Sequence, residues 1–154
     1  WGYNENDSKC ILFKNSCKKI FVSAIEFGIT NFITGMAQGF DMLGTELLIE
    51  LKKVYKHIKI VAVIPCKNQE IKWNETYKIR YRNILKHCDK QIILNETYTP
   101  TCMNDRNKFM VDNSAYCVAC YNGKPSGTKN TILYAKKTGV KVKILNPNEI
   151  NSTY

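Results

Sequence analysis

Three short segments of this 154-residue chain carry residues whose types and spacing could do chemistry. The first is Thr34-Gly35-Met36-Ala37-Gln38-Gly39-Phe40-Asp41. Gly35 and Gly39 let the backbone turn tightly and come close to a ligand, and a helix starting near Phe40 would aim unpaired N–H groups at an anion. The spacing is not G-x-G-x-x-G, so this is not the dinucleotide fingerprint. Asp41 has two readings: a partner for ribose hydroxyls, or an N-capping carboxylate that would repel phosphate. The second segment is Pro125-Ser126-Gly127-Thr128-Lys129-Asn130-Thr131, where a glycine, hydroxyl side chains and a helix start form another phosphate cradle. Helix caps use the same residue types. The third runs from Thr101 to Asp112 and puts Met103, Arg106 and Met110 at helical spacing. An arginine sharing a face with two core methionines is expected to be partly buried and to need an anionic partner. That partner is either a ligand or a carboxylate of the chain, Asp41 or Asp112.

The elements that must position these segments follow from hydrophobic period. A 3.6-residue repeat predicts helices over 8–27, 40–55, 73–87, 101–111 and 128–137, the first capped by Asp7 or Ser8 and closed by Gly28. Short apolar, β-branched runs predict strands over 31–34, 58–64, 90–94, 115–121 and 140–145. Strict alternation of such strands and helices implies right-handed β-α-β units in one domain over 1–154, an α/β, Rossmann-like, doubly wound and mainly parallel sheet with helices on both faces. In such sheets ligands bind outside the carboxyl ends of the strands, which is where all three segments fall. The chain begins with Trp1 and a helix, whereas doubly wound folds usually begin with a central strand. A strand is therefore expected ahead of Trp1, because a sheet without it would carry two unpaired interior edges.

Composition excludes several classes. No apolar stretch approaches the roughly 20 residues of a bilayer-spanning helix, so a cytoplasmic, membrane-free protein is expected. The net charge of +10 comes from 20 Lys and 3 Arg spread without a long basic run. Arg80 and Arg82 among Tyr77 and Tyr81 hint at nucleic acid, or else form the solvated face of a helix. Seven cysteines are scattered, as small buried hydrophobes are in a reducing compartment. Cys117 and Cys120 form a C-x-x-C on a predicted strand, where residues three apart point to opposite faces, so no redox or zinc pair is expected. His57 and His87 are read as solvated. No catalytic residue, metal or cofactor is assigned.

T-G-M-A-Q-G-F-D after a strand resembles the S-G-x-A-x-G-x-D segment of DNA-processing protein A and its SLOG superfamily, and the YpsA-like proteins within it in particular. The likeness extends through Ile64-Pro65-Cys66, Gln69, Trp73, the 102–112 segment, Gly127-Thr128 and Tyr134-Ala135-Lys136-Lys137. YpsA-like proteins open with a strand ending in T-G-H-R, which this sequence lacks. A second branch, the cytokinin-activating phosphoribohydrolases, carries M-H-x-R-K-x-x-M and P-G-G-x-G-T-x-x-E. Met103, Arg106 and Met110 match the first pattern, with Asn104 and Asn107 in place of its His and Lys. Gly127 and Thr128 match the second, with Thr131 at its catalytic Glu. A carboxylate there would stabilise an oxocarbenium-like centre or activate water.

The resemblance implies a binding site built from Thr34, Gly35, Met36, Ala37, Gly39, Asp41, Arg106, Asn107, Ser126, Gly127 and Thr128. It implies a nucleotide-type small-molecule ligand, ADP-ribose-like signals of bacterial and phage conflict included, held by a sensor or sequestering protein and not cut. Related folds form homodimers, which sets the expected oligomeric state. Two alternatives stand beside it. One is a phosphoribohydrolase or nucleosidase in which Glu46, Glu70 or Asp112 replaces the lost carboxylate. The other is single-stranded DNA binding, which lacks an aromatic stacking platform.

Overall fold

The computed structural model describes residues 4–150. Ten elements alternate: α1 (Ser8–Glu26), β1 (Asn31–Thr34), α2 (Phe40–Lys52), β2 (Lys59–Ile64), α3 (Glu75–Leu85), β3 (Lys90–Ile93), α4 (Cys102–Asp112), β4 (Tyr116–Cys120), α5 (Gly127–Lys137) and β5 (Lys141–Leu145). Their order and type are those expected from the sequence. Local signals account for the boundaries: the Asp7 carboxylate accepts the Lys9 N–H to start α1, and Asn74 accepts the Tyr77 N–H to start α3. Gly28 turns the chain out of α1 at a φ of +103°, a value that favours glycine.

Every strand pairing is parallel. β1 pairs with β2 from Asn31 opposite Lys59 to Thr34 opposite Ala62, and β2 pairs with β3. β4 pairs with β5 from Tyr116 opposite Lys141 to Cys120 opposite Leu145. The steps from β1 to β2 and from β2 to β3 run in one direction, and the step from β3 to β4 returns past them. Right-handed crossover then puts α2 and α3 on one face and α4 on the other. The fold is a mainly parallel, Rossmann-like α/β architecture.

One feature differs from a single continuous sheet. Among the described residues the strands form two ladders, β1-β2-β3 and β4-β5, and no backbone hydrogen bond is seen between β1 and β4. The strand expected ahead of Trp1 lies outside the described residues.

Helix packing holds the two ladders together. Cys10, Phe13, Cys17, Phe21 and Ile25 recur every three or four residues on α1 and are buried against Leu43, Leu47, Leu48 and Leu51 of α2. This cluster reaches Ile60 of β2 on one side and Leu145 of β5 on the other. Each fully buried Phe or Leu contributes about 1.5–3 kcal/mol. Val118 and Cys120 of β4 pack on the same cluster, and Cys117, of opposite strand parity, is not part of it. A second cluster gathers Met36, Met42, Ala62, Ile64, Tyr81 and Ile84.

Candidate functional site

β1 ends at Thr34, and the chain turns back into α2 through a loop with two residues at positive φ, Met36 at 55° and Gly39 at 94°. Gly39 is the N-cap of α2 and offers no side chain, so the first N–H groups of that helix are not side-chain capped. Met36 accepts its left-handed backbone because its side chain is wholly buried in the second cluster. Its N–H donates to Thr34 Oγ1 at 3.2 Å.

Asp41 organises this loop. Its Oδ2 accepts the Ala37 N–H at 3.2 Å, and its own carbonyl accepts the Thr45 hydroxyl at 2.5 Å. Thr45 also lies 2.9 Å from Thr34 Oγ1, linking the strand end to the helix start. Across the loop stands Arg106 of α4, only 4% exposed. Its Nη1 donates to the Gly35 carbonyl, its Nε donates to Asn107 Oδ1 at 2.8 Å, and the guanidinium lies 3.8 Å from Asp41 Oδ2. Burial pulls the Arg106 pKa down and Asp41 opposes the change. Gly35 has to be glycine for steric reasons: a Cβ there would overlap the Arg106 guanidinium and stand 2.7 Å from Asp41 Oδ2.

The carboxylate beside Arg106 is Asp41. Asp112 instead accepts the Tyr134 hydroxyl at 2.9 Å. The arginine is buried as expected, but not on a face with core methionines. Met103 is 39% exposed and Met110 half-buried, whereas Cys102 and Val111 are the buried neighbours on α4. The stripe falls about one position away from the predicted one.

The second segment lies at the start of α5. Ser126 is its N-cap and its Oγ accepts the Lys129 N–H at 3.3 Å. Ser126 and Gly127 are exposed, Thr128 is half-buried, and the first turn carries no acidic residue. Thr131, at the position of the phosphoribohydrolase glutamate, donates its hydroxyl to Gly127 O at 3.0 Å.

Between β1 and β4 runs a cleft of about 430 Å³. Residues 28–35 form one wall and residues 113–118 the other, with Phe21, Ala24, Gly44 and Leu48 of α1 and α2 alongside. Thr34, Gly35, Asp41 and Thr131 line it toward the carboxyl ends of the strands. The structure thus brings Thr34, Gly35, Met36, Ala37, Gly39, Asp41, Arg106 and Asn107 together. Of the α5 segment only Thr131 lines the cleft, so Ser126, Gly127 and Thr128 stand at its rim. Asp41 is the only carboxylate among the described lining residues. Glu46 is clamped by Arg80, which donates to both its oxygens at 2.8 and 2.6 Å, and Glu70 lies 3.8 Å from Arg82.

Two contributors were not assigned from sequence. Thr45 is a lone hydroxyl among the leucines of α2, and its position four residues after Asp41 is the signal that could have found it. Gln69 donates to Met36 O at 3.4 Å and to the Tyr81 hydroxyl at 3.0 Å, supporting the loop from below. Its Oε1 is buried without a partner. No group of three or more His, Cys, Asp or Glu suited to a metal occurs among the described residues, and none of the described helices is long and apolar enough to cross a membrane.

The two ladders extend in opposite directions from the cleft, which makes it the topological switch point, the usual ligand crevice of open α/β sheets. Fold and crevice together define a Rossmann-like domain of the ligand-binding kind of architecture. The chain belongs to the YpsA family, described as the YspA SLOG family, whose model matches residues 2–150. It is 36% identical over 119 residues to the SPbeta prophage-derived protein YoqJ of Bacillus subtilis, covering 70% of each chain. It is 30% identical over 142 residues to a UPF0398 protein of Brevibacillus brevis, covering 88% of this chain and 74% of the other. The UPF0398 protein YpsA of Bacillus subtilis is 20% identical over 133 residues, covering 85% of this chain and 74% of that one.

Proposed function

We propose that the protein binds a nucleotide-derived small molecule, ADP-ribose-like in carrying phosphate and ribose, at the carboxyl edge of the sheet, and that it captures this ligand without cleaving it. The observation that carries this reading is the flanking of one switch-point cleft by two helix N-termini. α2 begins at Gly39 without a side-chain cap, and α5 begins at Ser126 without an acid in its first turn. Each presents partial positive charge where a phosphate would sit. Arg106 supports the first N-terminus from behind by holding the Gly35 carbonyl, and its charge is balanced by Asp41.

Capture without turnover is favoured by the placement of carboxylates. The three candidates for the lost glutamate, Glu46, Glu70 and Asp112, are engaged by Arg80, Arg82 and Tyr134 away from the cleft. Thr131 spends its proton on the helix backbone. Arg80, held by Glu46 and Glu5, is already neutralised, which weighs against a nucleic-acid surface on α3. A relative named as prophage-derived fits a setting of conflict between phage and host.

Thermal stability against NAD, ADP-ribose, cyclic ADP-ribose forms, AMP and cyclic dinucleotides tests the reading. At a hundredfold excess over Kd a bound ligand adds about 2.7 kcal/mol. For a chain of this size that raises Tm by roughly 5–10 °C. The ligand should be recovered intact by mass spectrometry. Conversion to free base and sugar phosphate would make the protein an enzyme, with Asp41 its carboxylate. No shift across the panel would remove the nucleotide reading.

A further inference from the structure

We propose that the cleft between β1 and β4 is the seat of a sixth parallel strand, contributed by chain N-terminal to Trp1 and joined to β1 through α1. Backbone hydrogen bonds carry the argument. Lys59 N–H donates to Thr30 O at 2.8 Å, and Tyr121 N–H donates to Leu145 O at 2.9 Å. In a parallel ladder successive residues bond alternately to the two sides. Thr30, Phe32 and Thr34 therefore serve β2, and Ala119 and Tyr121 serve β5. The N–H and C=O groups of Asn31 and Ile33, and of Val118 on the facing strand, turn into the cleft. The next acceptor in the β1 series is the Gly35 carbonyl, and Arg106 supplies its donor. The open ladder thus runs to the level of Ile33 and is closed off by a side chain above it.

The occupant follows from the position of α1. In a right-handed β-α-β unit the helix covers the groove beside the strand it leads into. α2 does so for β1 and β2, and α1 packs beside α2 with Phe21 and Ala24 lining the cleft. α1 is therefore a crossover helix in search of its first strand, and that strand lies in the cleft parallel to β1. β1 has four residues and β4 has five, which sets its length. Helices cover both faces, so its side chains are apolar on both faces. Its carboxyl end emerges between Gly35 and the start of α5, giving the ligand site a third wall. That consequence rests on the proposed ligand reading, whereas the strand itself is tested without ligand.

The test is amide hydrogen exchange on two proteins: the 154-residue chain, and the same chain extended by the residues encoded upstream of Trp1. Extension should slow exchange of the Ile33 and Val118 amides by on the order of a thousandfold. The β2-facing amide of Phe32 should be protected in both. In the extended protein Ile33→Pro removes a donor that faces the cleft but none that faces β2, so Val118 should lose protection while Phe32 keeps it. If that variant does not fold, the comparison of the two unsubstituted proteins still decides. Protection of Ile33 and Val118 already in the 154-residue chain overturns the proposal, and protection lost on dilution would give the cleft to a second copy. An extension that leaves both amides unprotected, or a reading frame without a strand-length apolar segment upstream, overturns it equally.

Discussion

Asp41→Asn should destabilise the protein more than Arg106→Met, and the second substitution should partly rescue the first. Arg106 is 4% exposed, and Asp41 is the only carboxylate within ion-pair distance of it among the described residues. At their separation of 3.8 Å, an effective dielectric near 20 gives about 4 kcal/mol of attraction. Asparagine keeps the shape and leaves the guanidinium buried without a counter-charge, a change that costs about 3–5 kcal/mol in a fully buried pair. The Asp41 side chain is 30% exposed, so water recovers part of that loss and about 2–4 kcal/mol remains. Arg106→Met removes the charge itself. The chief loss is then the donor to the buried Gly35 carbonyl, about 1–2 kcal/mol. The double variant should be no less stable than Asp41→Asn alone, because deleting the guanidinium removes the unpaired charge. Urea midpoints at neutral pH for the four proteins complete the cycle. Losses that simply add, or a larger loss from Arg106→Met, would refute the buried-charge argument.

Three further outcomes are expected. Gly35→Ala should cost about 1–3 kcal/mol by overpacking against Arg106, whereas Gly127→Ala, whose Cβ would meet nothing within 4 Å, should stay within about 0.5 kcal/mol of the parent by denaturant unfolding. The Lys52 hydrogen bond holds the Asp89 carboxyl below its ordinary range, against burial and with help from the Ile60 N–H. A depressed carboxylate contributes stability above its unfolded pKa near 4 and loses it as pH falls through the folded value. Asp89→Asn should therefore lower stability at pH 7 and converge on the parent in acid, which a series of unfolding curves from neutral pH downward would show. Burial pushes the thiols of Cys88 and Cys120 up to about 11 and about 12, and that of Cys17 higher still. All three should resist iodoacetamide at pH 8 in the folded protein and react in urea, as read by peptide mass spectrometry. Fast native labelling of Cys120 would contradict its place against α1.

The elements were legible in the sequence because each is written in local terms. β2 is a continuous apolar run halted by Pro65, and α1 carries its core residues at helical spacing between Asp7 and Gly28. The crevice was legible to the same degree, since strand ends and glycine-bearing turns coincide in the sequence itself. What remained open concerned contacts between distant segments. Asp41 and Asp112 were equal candidates for Arg106, and the choice was made by the packing of α4 over the β1 loop, with Tyr134 taking Asp112. Met103 looked internal because an 11-residue helix holds too few turns to fix which stripe faces inward. Ser126 could cap or cradle, and the same oxygen serves both roles. The lost glutamate had three possible replacements on paper, and each proves to be tied to a different cation or hydroxyl.

The bonds around Asp89 bear on how this domain can change over time. Asp89 sits just before β3, accepts the Ile60 N–H at 2.8 Å and pairs with Lys52 at the end of α2. One carboxylate thus fastens two strands and a helix at the amino edge of the sheet, opposite the edge that bears the crevice. Strand register is set at one pole and ligand choice at the other. Substitutions that retune the loops after β1 and β4 leave that fastening untouched, so the crevice can drift toward new ligands while the frame beneath it stays the same. A charge reversal at Asp89 acts the opposite way, loosening the frame without altering any surface a ligand meets.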